Sequence, residues 1–377
     1  MGGLFIGLMS GTSMDGIDAA VVDLSGPQPA LRHALCHPYP EELRARLQAV
    51  VAPGWRGSLA DLLRLDHDIG LAFADAAEAL LTETGHPPVT AIGSHGQTVA
   101  HHPESPIANS WQLGDPSLIA ERTGLPVVAD WRRRDLAAGG QGAPLAPAFH
   151  AATLRQPGVD CAVLNLGGIA NLTLLPGDPQ RPVTGFDTGP ANTLLDAWSR
   201  AVRGTAPDVD GAWAASGTPR PDLLAALLDD PYFRRPPPKS TGREHFHLGW
   251  LQRRLATLPR APDPADVQAT LVALTVRSVL DALRATLPDC RRLHVCGGGV
   301  HNRHLMDRLR AAAAPMEVAS TAARGIHPDH LEAMAFAWLA WRTLHGLPGN
   351  LPEVTGAGGA RVLGAIYPGR HGFPPLT

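Results

Sequence analysis

Two stretches of the chain repeat one arrangement of apolar and polar positions: an apolar run, a glycine-rich turn and a second apolar run. The first covers residues 4–23 with its turn at 10–16, and the second covers residues 161–175 with its turn at 167–171. Two short apolar runs around a glycine turn are typical of a β-hairpin. One hairpin in each half predicts a duplicated architecture, in which two anion-holding loops face one cleft.

Apolar residues at helical spacing predict helices over residues 59–84 and 266–287. Residues 332–344 are almost wholly apolar after their first residue, Glu332, and therefore predict a buried helix. A glutamate that opens such a helix either caps it or faces a cleft.

Short apolar runs predict strands at residues 90–94, before a polar loop, and at 293–296, before a run of three glycines. Apolar periodicity is lost between residues 130 and 149. We expect a domain junction or an active-site loop there.

A length of 377 residues allows two domains, at roughly 100–200 residues each. We place an N-terminal domain at residues 1–140, with a return of the chain at about 346–377, and a C-terminal domain at 141–345. The net charge of −3 argues against general binding to nucleic acid or to a membrane surface. No stretch of about 20 apolar residues is present, so we expect a cytoplasmic protein without nucleic-acid or membrane partners.

The first glycine turn has features of a phosphate site. It lacks the lysine of a Walker loop, and a strand follows it where a Rossmann fingerprint opens a helix. Backbone N–H groups in such a turn can still hold phosphate oxygens, with the hydroxyls of Thr12 and Ser13 as further donors. Asp15 would repel phosphate unless a hydrated Mg²⁺ lay between them. An ordinary glycine hairpin is the alternative, which the matching second turn disfavours.

Asp187 is the best candidate for a general base, because Phe186 before it and a Thr-Gly-Pro sequence after it place it at the corner between a strand and a helix. A helix-capping aspartate is an equally good interpretation of this position. His95 and Gln97, flanked by glycines, suit hydrogen bonds to sugar hydroxyls, although a loop histidine is often structural. The glycines at 297–299 either let the backbone approach a nucleoside or form a turn.

Motifs in order along nearly the whole chain closely resemble those of the anhydro-N-acetylmuramic acid kinase family. The specific segments are residues 9–18, 164–171 and 185–192. Further matching segments lie at 93–98, 140–145, 238–244, 296–299, 332–338 and 350–357.

The resemblance implies an α/β fold of the actin-like class, which includes sugar kinases, hsp70 and actin and has ribonuclease H-like domains, with a nucleotide cleft between two domains. It also implies an enzyme that uses ATP and Mg²⁺. In this family, water opens the 1,6-anhydro bridge of the sugar and O6 takes the γ-phosphate. The products would be N-acetylmuramic acid 6-phosphate and ADP, in peptidoglycan recycling.

The resemblance also assigns residues. Asp187 matches the family's catalytic aspartate, which would deprotonate the water that attacks C1, and residues 11–18 match its ATP loop. The candidate ATP-binding residues are Gly11, Thr12, Ser13, Met14, Asp15, Gly16, Ile17, Asp18, Gly167, Gly168, Asn171, Gly297, Gly298 and Gly299, with Asp15 also a candidate metal ligand. The candidate substrate-binding residues are His95, Gln97, Gln112, Asp115, Arg134 and Glu332; the last four rest on their positions in polar loops or at a helix start.

Two other functions stay open at this point. An actin-like kinase for an ordinary open sugar would use Asp187 to deprotonate a substrate hydroxyl and would consume no water. A non-catalytic, nucleotide-driven clamp would hydrolyse ATP slowly whether or not sugar is present. The family resemblance and the helix that carries Trp338 and Trp341 also favour a homodimer.

Overall fold

A computed structural model describes residues 2–11, 13–104 and 106–373 of the chain. The strands are β1 (Leu4–Ser10), β2 (Gly16–Asp23), β3 (Ala30–Pro38), β4 (Val89–His102), β5 (Asn109–Leu113), β6 (Val127–Ala129), β7 (Cys161–Leu166), β8 (Ile169–Leu175), β9 (Thr184–Pro190), β10 (Arg292–Cys296), β11 (Glu317–Ser320) and β12 (Ala365–Tyr367). The helices are α1 (Glu41–Val51), α2 (Leu59–Glu83), α3 (Pro116–Thr123), α4 (Trp131–Ala137), α5 (Ala146–Leu154), α6 (Asn192–Arg203), α7 (Ala212–Ser216), α8 (Pro221–Leu228), α9 (Pro231–Arg234), α10 (Leu248–Leu255), α11 (Pro264–Thr286), α12 (Arg303–Ala313), α13 (Leu331–Leu344) and α14 (Pro352–Thr355).

The chain divides into two units, Met1–Thr153 with His330–Thr377 and Leu154–Asp329. The domain limits expected from the sequence, after residues 140 and 345, differ from these. Helix α13 packs against β1, β2 and β4, so it belongs to the first unit, although the sequence-based division assigns it to the second. The sequence of an apolar helix shows that the helix is buried, but it does not show which sheet the helix packs against.

The sheets of the two units repeat one plan. In the first, the strand order is β12-β6-β4-β1-β2-β3, with β5 paired to β4, and in the second it is β11-β10-β7-β8-β9. The first three strands of each unit form an antiparallel meander. The next two strands of each sheet, β4 and β6 or β10 and β11, run parallel to the first strand. The predicted hairpins and the duplicated α/β architecture are confirmed.

Each unit has its own apolar core. Ile6, Leu8 and Phe73 are fully buried in the first, and Leu164 and Leu274 are fully buried in the second. The predicted long helices are confirmed as α2 and α11. In the described part of the chain, no helix is both long and apolar enough to cross a membrane.

The polar loop predicted after residue 94 is wrong, because β4 continues through it to His102. Gln97 pairs with Ser10 of β1 and with Leu113 of β5. His95 and Gln97 are buried, and their polar atoms form hydrogen bonds with other protein groups. The prediction was wrong because polar residues between glycines are more typical of an exposed loop than of a buried strand. The irregular segment expected at 130–149 is likewise shorter, since α4 and the start of α5 occupy most of it.

Helix α13 lies directly on the sheet of the first unit, at two glycines that pair with each other across β1 and β4. A Cβ atom on Gly7 would lie 1.8 Å from the carbonyl oxygen of Ala333, and one on Gly93 would lie 2.1 Å from that of Phe336. Because no other residue leaves room for this approach, the two glycines set the position of α13 and of Glu332 in its first turn.

We predict that Gly93→Ala lowers the free energy of unfolding by about 1–3 kcal/mol or more, because the added methyl group must displace the α13 backbone. Chemical denaturation followed by circular dichroism measures the change. Gly26→Ala is the matched control, since the nearest atom to its new Cβ would be 3.7 Å away. Equal stability of Gly93→Ala and the unaltered protein would contradict the close approach.

Candidate active site

The turn between β7 and β8, at Gly167 and Gly168, is tied to the start of α6. The carbonyl oxygen of Gly167 accepts a hydrogen bond from Asn192 N at 3.1 Å, and that of Gly168 accepts one from Thr193 N at 3.0 Å. A Cβ atom on Gly168 would lie 2.6 Å from the Thr193 hydroxyl oxygen, so a side chain there would displace Thr193. The turn therefore has a fixed conformation; its role in binding ATP stays a prediction.

The three glycines after β10 have different roles. Gly297 has a φ of +79°, and a Cβ atom on it would lie 2.2 Å from Asn165 Oδ1. A Cβ atom on Gly299 would lie 2.5 Å from Leu166 Cβ, whereas one on Gly298 would meet no heavy atom within 4 Å. Gly297 and Gly299 are thus required by the close approach to the end of β7. Gly298 leaves the open space that a nucleoside would need.

Polar side chains form a row across the sheet of the second unit. Asn165 of β7 pairs with Asn171 of β8, which pairs in turn with Asp187 of β9. Residues that pair directly across adjacent strands share one face of a sheet. All three are partly exposed, so this face presents two amides and a carboxylate side by side.

Asp187 is held at both its backbone and its side chain. Its Oδ2 atom accepts a hydrogen bond from Thr241 N at 3.0 Å. Its backbone N–H donates to Lys239 O at 3.0 Å, and its carbonyl oxygen accepts from the Tyr232 hydroxyl at 2.7 Å. Burial raises the pKa of Asp187 to about 6, with the Thr241 N–H opposing the shift and the charge of Glu244 adding to it. Such a carboxylate is a poised proton acceptor.

The residues that orient Asp187 were not identified from the sequence as site residues. Tyr232 is buried, and the Lys239 ammonium lies 4.8 Å from the centre of its ring and donates to its carbonyl oxygen. Asp230 accepts hydrogen bonds from Tyr232 N and from Trp250 Nε1. The sequence did offer one signal, because residues 238–244 match a family motif. That match did not show that the backbone N–H of Thr241 donates to the Asp187 carboxylate.

In the first unit, the loop between β1 and β2 is anchored by Met14. This residue has a φ of +56°, its side chain is buried in the core, and its N–H donates to Gly11 O at 3.2 Å. Ile17 is fully buried as well, so its side chain belongs to the core. Ser13 is exposed, and Thr12 lies outside the described residues.

Gln97 supports this loop. Its Oε1 atom lies 2.7 Å from the Ser10 hydroxyl, and its Nε2 atom donates to Gly11 O at 3.3 Å. The side chain is fully buried, so these contacts link β4 to the end of β1 and to the first residue of the loop. A direct contact of Gln97 with a sugar stays a prediction.

Asp15 is exposed and pairs with Arg44, whose Nη2 atom lies 2.8 Å from Asp15 Oδ1. Gly16 after it leaves no room for a side chain, because a Cβ atom would lie 2.8 Å from the backbone carbonyl oxygen of His37. Within the described residues no cluster of three or more histidine, cysteine or carboxylate ligands could hold a metal ion. Mg²⁺ usually takes one or two carboxylates together with phosphate oxygens, so the exposed Asp15 carboxylate is a donor of a kind that fits it.

Glu332 lies among charged groups of the first unit. Although solvent reaches this residue, desolvation by the surrounding protein raises the pKa of its carboxyl group, with Arg132 opposing the shift and Asp18 adding to it. The sequence proposed Arg134 for this neighbourhood. Arg134 is exposed and forms no ion pair with the residues described, whereas its neighbour Arg132 interacts with Glu332.

Both ring nitrogens of His95 have protein partners. Nδ1 lies 2.8 Å from Gly96 O, and Nε2 lies 2.8 Å from Arg132 Nη2. Because a carbonyl only accepts and a guanidinium only donates, Nδ1 carries the proton and the ring is neutral. Burial, with the Arg132 charge, holds the pKa of His95 well below its usual value. The ring lies 4.7 Å from that of Phe336 on α13, which fixes its orientation.

A cavity of about 260 Å³ in the first unit brings together some of the candidate sugar residues. It includes His95, Gln112 and Asp115, and it does not include Gln97, Arg134 or Glu332. The lining residues are Asp66, Ser94, His95, Gly96, Trp111, Gln112, Gly114, Asp115, Pro116, Ala129, Asp130, Arg133 and Tyr367.

Comparison with known proteins identifies the family of the chain. Residues 3–369 match the family model described as anhydro-N-acetylmuramic acid kinase. A protein of that name from Xanthomonas campestris pv. campestris (strain 8004) is 54% identical over 370 residues, covering 97% of each chain. One from Coxiella burnetii (strain Dugway 5J108-111) is 49% identical over 365 residues, covering 96% of this chain and 97% of its own.

Among solved structures, the activator of the 2-hydroxyisocaproyl-CoA dehydratase from Clostridium difficile, with bound ADPNP, has a TM-score of 0.47 at 10% identity. The match covers 90% of this chain and 94% of that one. The family model and the two relatives extend over nearly the whole length of the sequence. The chain therefore belongs to the anhydro-N-acetylmuramic acid kinase family.

Proposed function

We propose that this kinase opens the 1,6-anhydro ring of 1,6-anhydro-N-acetylmuramic acid with water and phosphorylates O6 at the expense of ATP. The products are N-acetylmuramic acid 6-phosphate and ADP, in the recycling of peptidoglycan. Membership of the family supports this substrate and this reaction. The observation that carries the mechanism is the partly buried Asp187 carboxylate with its raised pKa of about 6.

In the proposed reaction, Asp187 takes a proton from a water molecule as the water oxygen forms a bond to C1. The C1–O6 bond breaks, and its electron pair stays on O6. O6 then forms a bond to the γ-phosphorus of ATP while the bond from that phosphorus to the β–γ bridging oxygen breaks, which releases ADP. A carboxylate that activates water behind an anomeric carbon is the arrangement of inverting glycosidases.

The surroundings of Asp187 suit this role. At about pH 7 a group with a pKa near 6 is mostly ionised, and it is a stronger base than a fully hydrated aspartate. The Thr241 N–H holds one carboxylate oxygen, Oδ2, so Oδ1 is the oxygen that would face the water. The contacts of Tyr232 and Lys239 with the Asp187 backbone limit its movement.

We assign ATP to residues 11–18, to Gly167, Gly168 and Asn171, and to Gly297–Gly299. Phosphoryl transfer needs positioning and neutralisation of charge more than a protein nucleophile, which suits backbone N–H groups in glycine turns. Asp15 would hold Mg²⁺, which supplies positive charge at the phosphates when bound. The exposed Asp15–Arg44 ion pair is no obstacle, because exposed pairs contribute little stability.

On the sugar side we assign Gln112, Asp115 and Glu332, which are partly or fully exposed. Arg134 stays a weaker member of this group, since Arg132 is the arginine that interacts with Glu332. The polar atoms of His95 and Gln97 are engaged by protein, so we propose that they contribute by positioning the residues around them.

A cytoplasmic homodimer is part of the proposal and rests on the resemblance to the family. The helix with Trp338 and Trp341 no longer supports it, because α13 is buried inside its own unit, where Trp338 packs 5.8 Å from the ring of Phe149. Sedimentation velocity of the purified protein distinguishes a dimer from a monomer.

Asp187→Asn should lower kcat by about 10²–10⁴, because an amide cannot take the proton, while the KM for ATP changes little. Coupled measurement of ADP release at saturating sugar gives both constants. Asp289→Asn, an exposed aspartate of the same unit, is the matched control and should keep full activity. Normal turnover by Asp187→Asn would refute the assigned base.

Activity should also fall as the pH drops through about 6, because protonated Asp187 cannot accept a proton. Glu244→Gln removes a negative charge that disfavours ionised Asp187, so the acid limb of the kcat profile should move to lower pH. Glu42→Gln, which alters an exposed residue of α1, should leave the profile in place. An acid limb that is the same in Glu244→Gln would contradict this electrostatic coupling.

A further inference from the structure

A guanidinium lies beside the glycine turn between β7 and β8. A Cβ atom on Gly168 would lie 3.8 Å from Arg243 Nη2 and 3.9 Å from Arg243 Nε, and both nitrogens are nearer to that point than the guanidinium carbon. The Nε–Nη2 edge of Arg243 therefore faces the turn. An arginine edge with two N–H groups can bind two oxygens of one carboxylate or phosphate group.

The donors of Arg243 are not used by the protein. The side chain is exposed, and within the described ranges it forms no hydrogen bond and no ion pair. Its charge does act on Asp196 of α6, since burial raises the pKa of that carboxyl group and Arg200 and Arg243 oppose the shift. The guanidinium is therefore placed at the turn with its N–H groups available to a ligand.

Negative charge on the neighbouring segments would oppose a phosphate at this turn. Asp196 lies one helical turn after Asn192, whose N–H is bonded to Gly167 O. Glu244 follows Arg243 directly, and its charge adds to the raised pKa of Asp187. Because like charges repel, a phosphate held here needs a positive group beside it.

Two other cations of the second unit cannot supply that charge. The Lys239 ammonium is buried and donates to the carbonyl oxygens of Tyr232 and Phe233. Arg200 lies in the last turn of α6, at the opposite end of the helix from the glycine turn. Of these three cations, Arg243 is the one that lies beside the turn with its donors available.

The loop that carries Arg243 also orients the proposed base. The N–H of Thr241 holds Asp187 Oδ2 at 3.0 Å, and only Gly242 separates Thr241 from Arg243. One short segment thus brings a donor to the carboxylate and a cation to the glycine turn. Both halves of the proposed reaction, proton removal and phosphoryl transfer, would depend on its conformation.

We propose that Arg243 is a catalytic residue that binds the γ-phosphoryl group of ATP and neutralises its charge during transfer to O6. The presence of ATP at the turn rests on the proposed function. Negative charge in such a transfer is spread over three equatorial oxygens, and Arg243 Nε and Nη2 would donate to two of them. Arg243 then supplies the positive charge that the lysine supplies in a Walker loop, which this chain lacks.

The test compares a triphosphate with a diphosphate. Calorimetry with Mg²⁺ and without sugar measures the binding of ADP and of the β,γ-imido analogue of ATP. Arg243→Gln should weaken the binding of the analogue by about tenfold or more and leave that of ADP within about twofold, because only the analogue has a γ-phosphoryl group. With the anhydro sugar and ATP, kcat should fall by about 10²–10³.

Two further variants separate this role from a general effect of charge. Arg243→Lys keeps the charge but loses the two-donor edge, so it should recover only part of the lost affinity and kcat. Arg200→Gln is the matched control, since it also removes a positive charge that acts on Asp196. It should bind the analogue and turn over like the unaltered protein.

Three results would overturn the proposal. The first is unchanged affinity of Arg243→Gln for the analogue. The second is an equal loss for ADP and the analogue, which would place the contact elsewhere on the nucleotide or reflect a disturbed loop. The third is an equal loss in Arg200→Gln, which would reduce the effect to charge at a distance.

The two proposals fail separately. If the unaltered protein phosphorylates the anhydro sugar but Arg243→Gln binds the analogue normally, the assignment of Arg243 is wrong and the proposed function stands. If Arg243→Gln loses affinity for the analogue alone but the unaltered protein does not phosphorylate the sugar, the proposed function is wrong and the γ-phosphoryl site stands.

Discussion

Removal of the Asp187 carboxylate from water, only partly offset by the Thr241 N–H, raises the pKa of the carboxyl group that we propose as the base. Burial disfavours the charged form of a carboxyl group, and a hydrogen bond from a backbone N–H favours it. In Asp187 burial has the larger effect, which makes the ionised side chain a better base than aspartate in water. Asp187 lies on the same face of the sheet as Asn165 and Asn171, and the Tyr232 hydroxyl holds its backbone carbonyl oxygen.

Glycines give both units their close contacts with the first strand of the sheet. In the first unit, Gly7 and Gly93 admit the backbone of α13, and this packing places Glu332 near Arg132 and Asp18. In the second unit, Gly297 and Gly299 admit the segment after β10 against the end of β7. The same strand order therefore supports two different sets of polar groups, one around a helix start and one around a glycine turn.

The sequence was sufficient for features that depend on local pattern: both hairpins and the helices α2 and α11. It was insufficient where distant residues decide. His95 and Gln97 look like loop residues because the partners that bury them lie elsewhere in the chain. The sequence did not show which arginine of α4 lies near Glu332, because that depends on how the helix is oriented; it is Arg132 and not Arg134. The hydrogen bond from Thr241 to Asp187 uses a backbone N–H, which every residue except proline has.

The use of water as the nucleophile at C1 separates this enzyme from a kinase that phosphorylates an existing hydroxyl. The most direct measurement runs the reaction in ¹⁸O-labelled water, quenches it early and locates the label by mass spectrometry, with unlabelled product incubated alongside to correct for exchange at C1. Activation of water by Asp187 predicts one ¹⁸O atom at C1 of the sugar phosphate and none in the transferred phosphoryl group. Product without label at C1, or with label in the phosphoryl group, would contradict it.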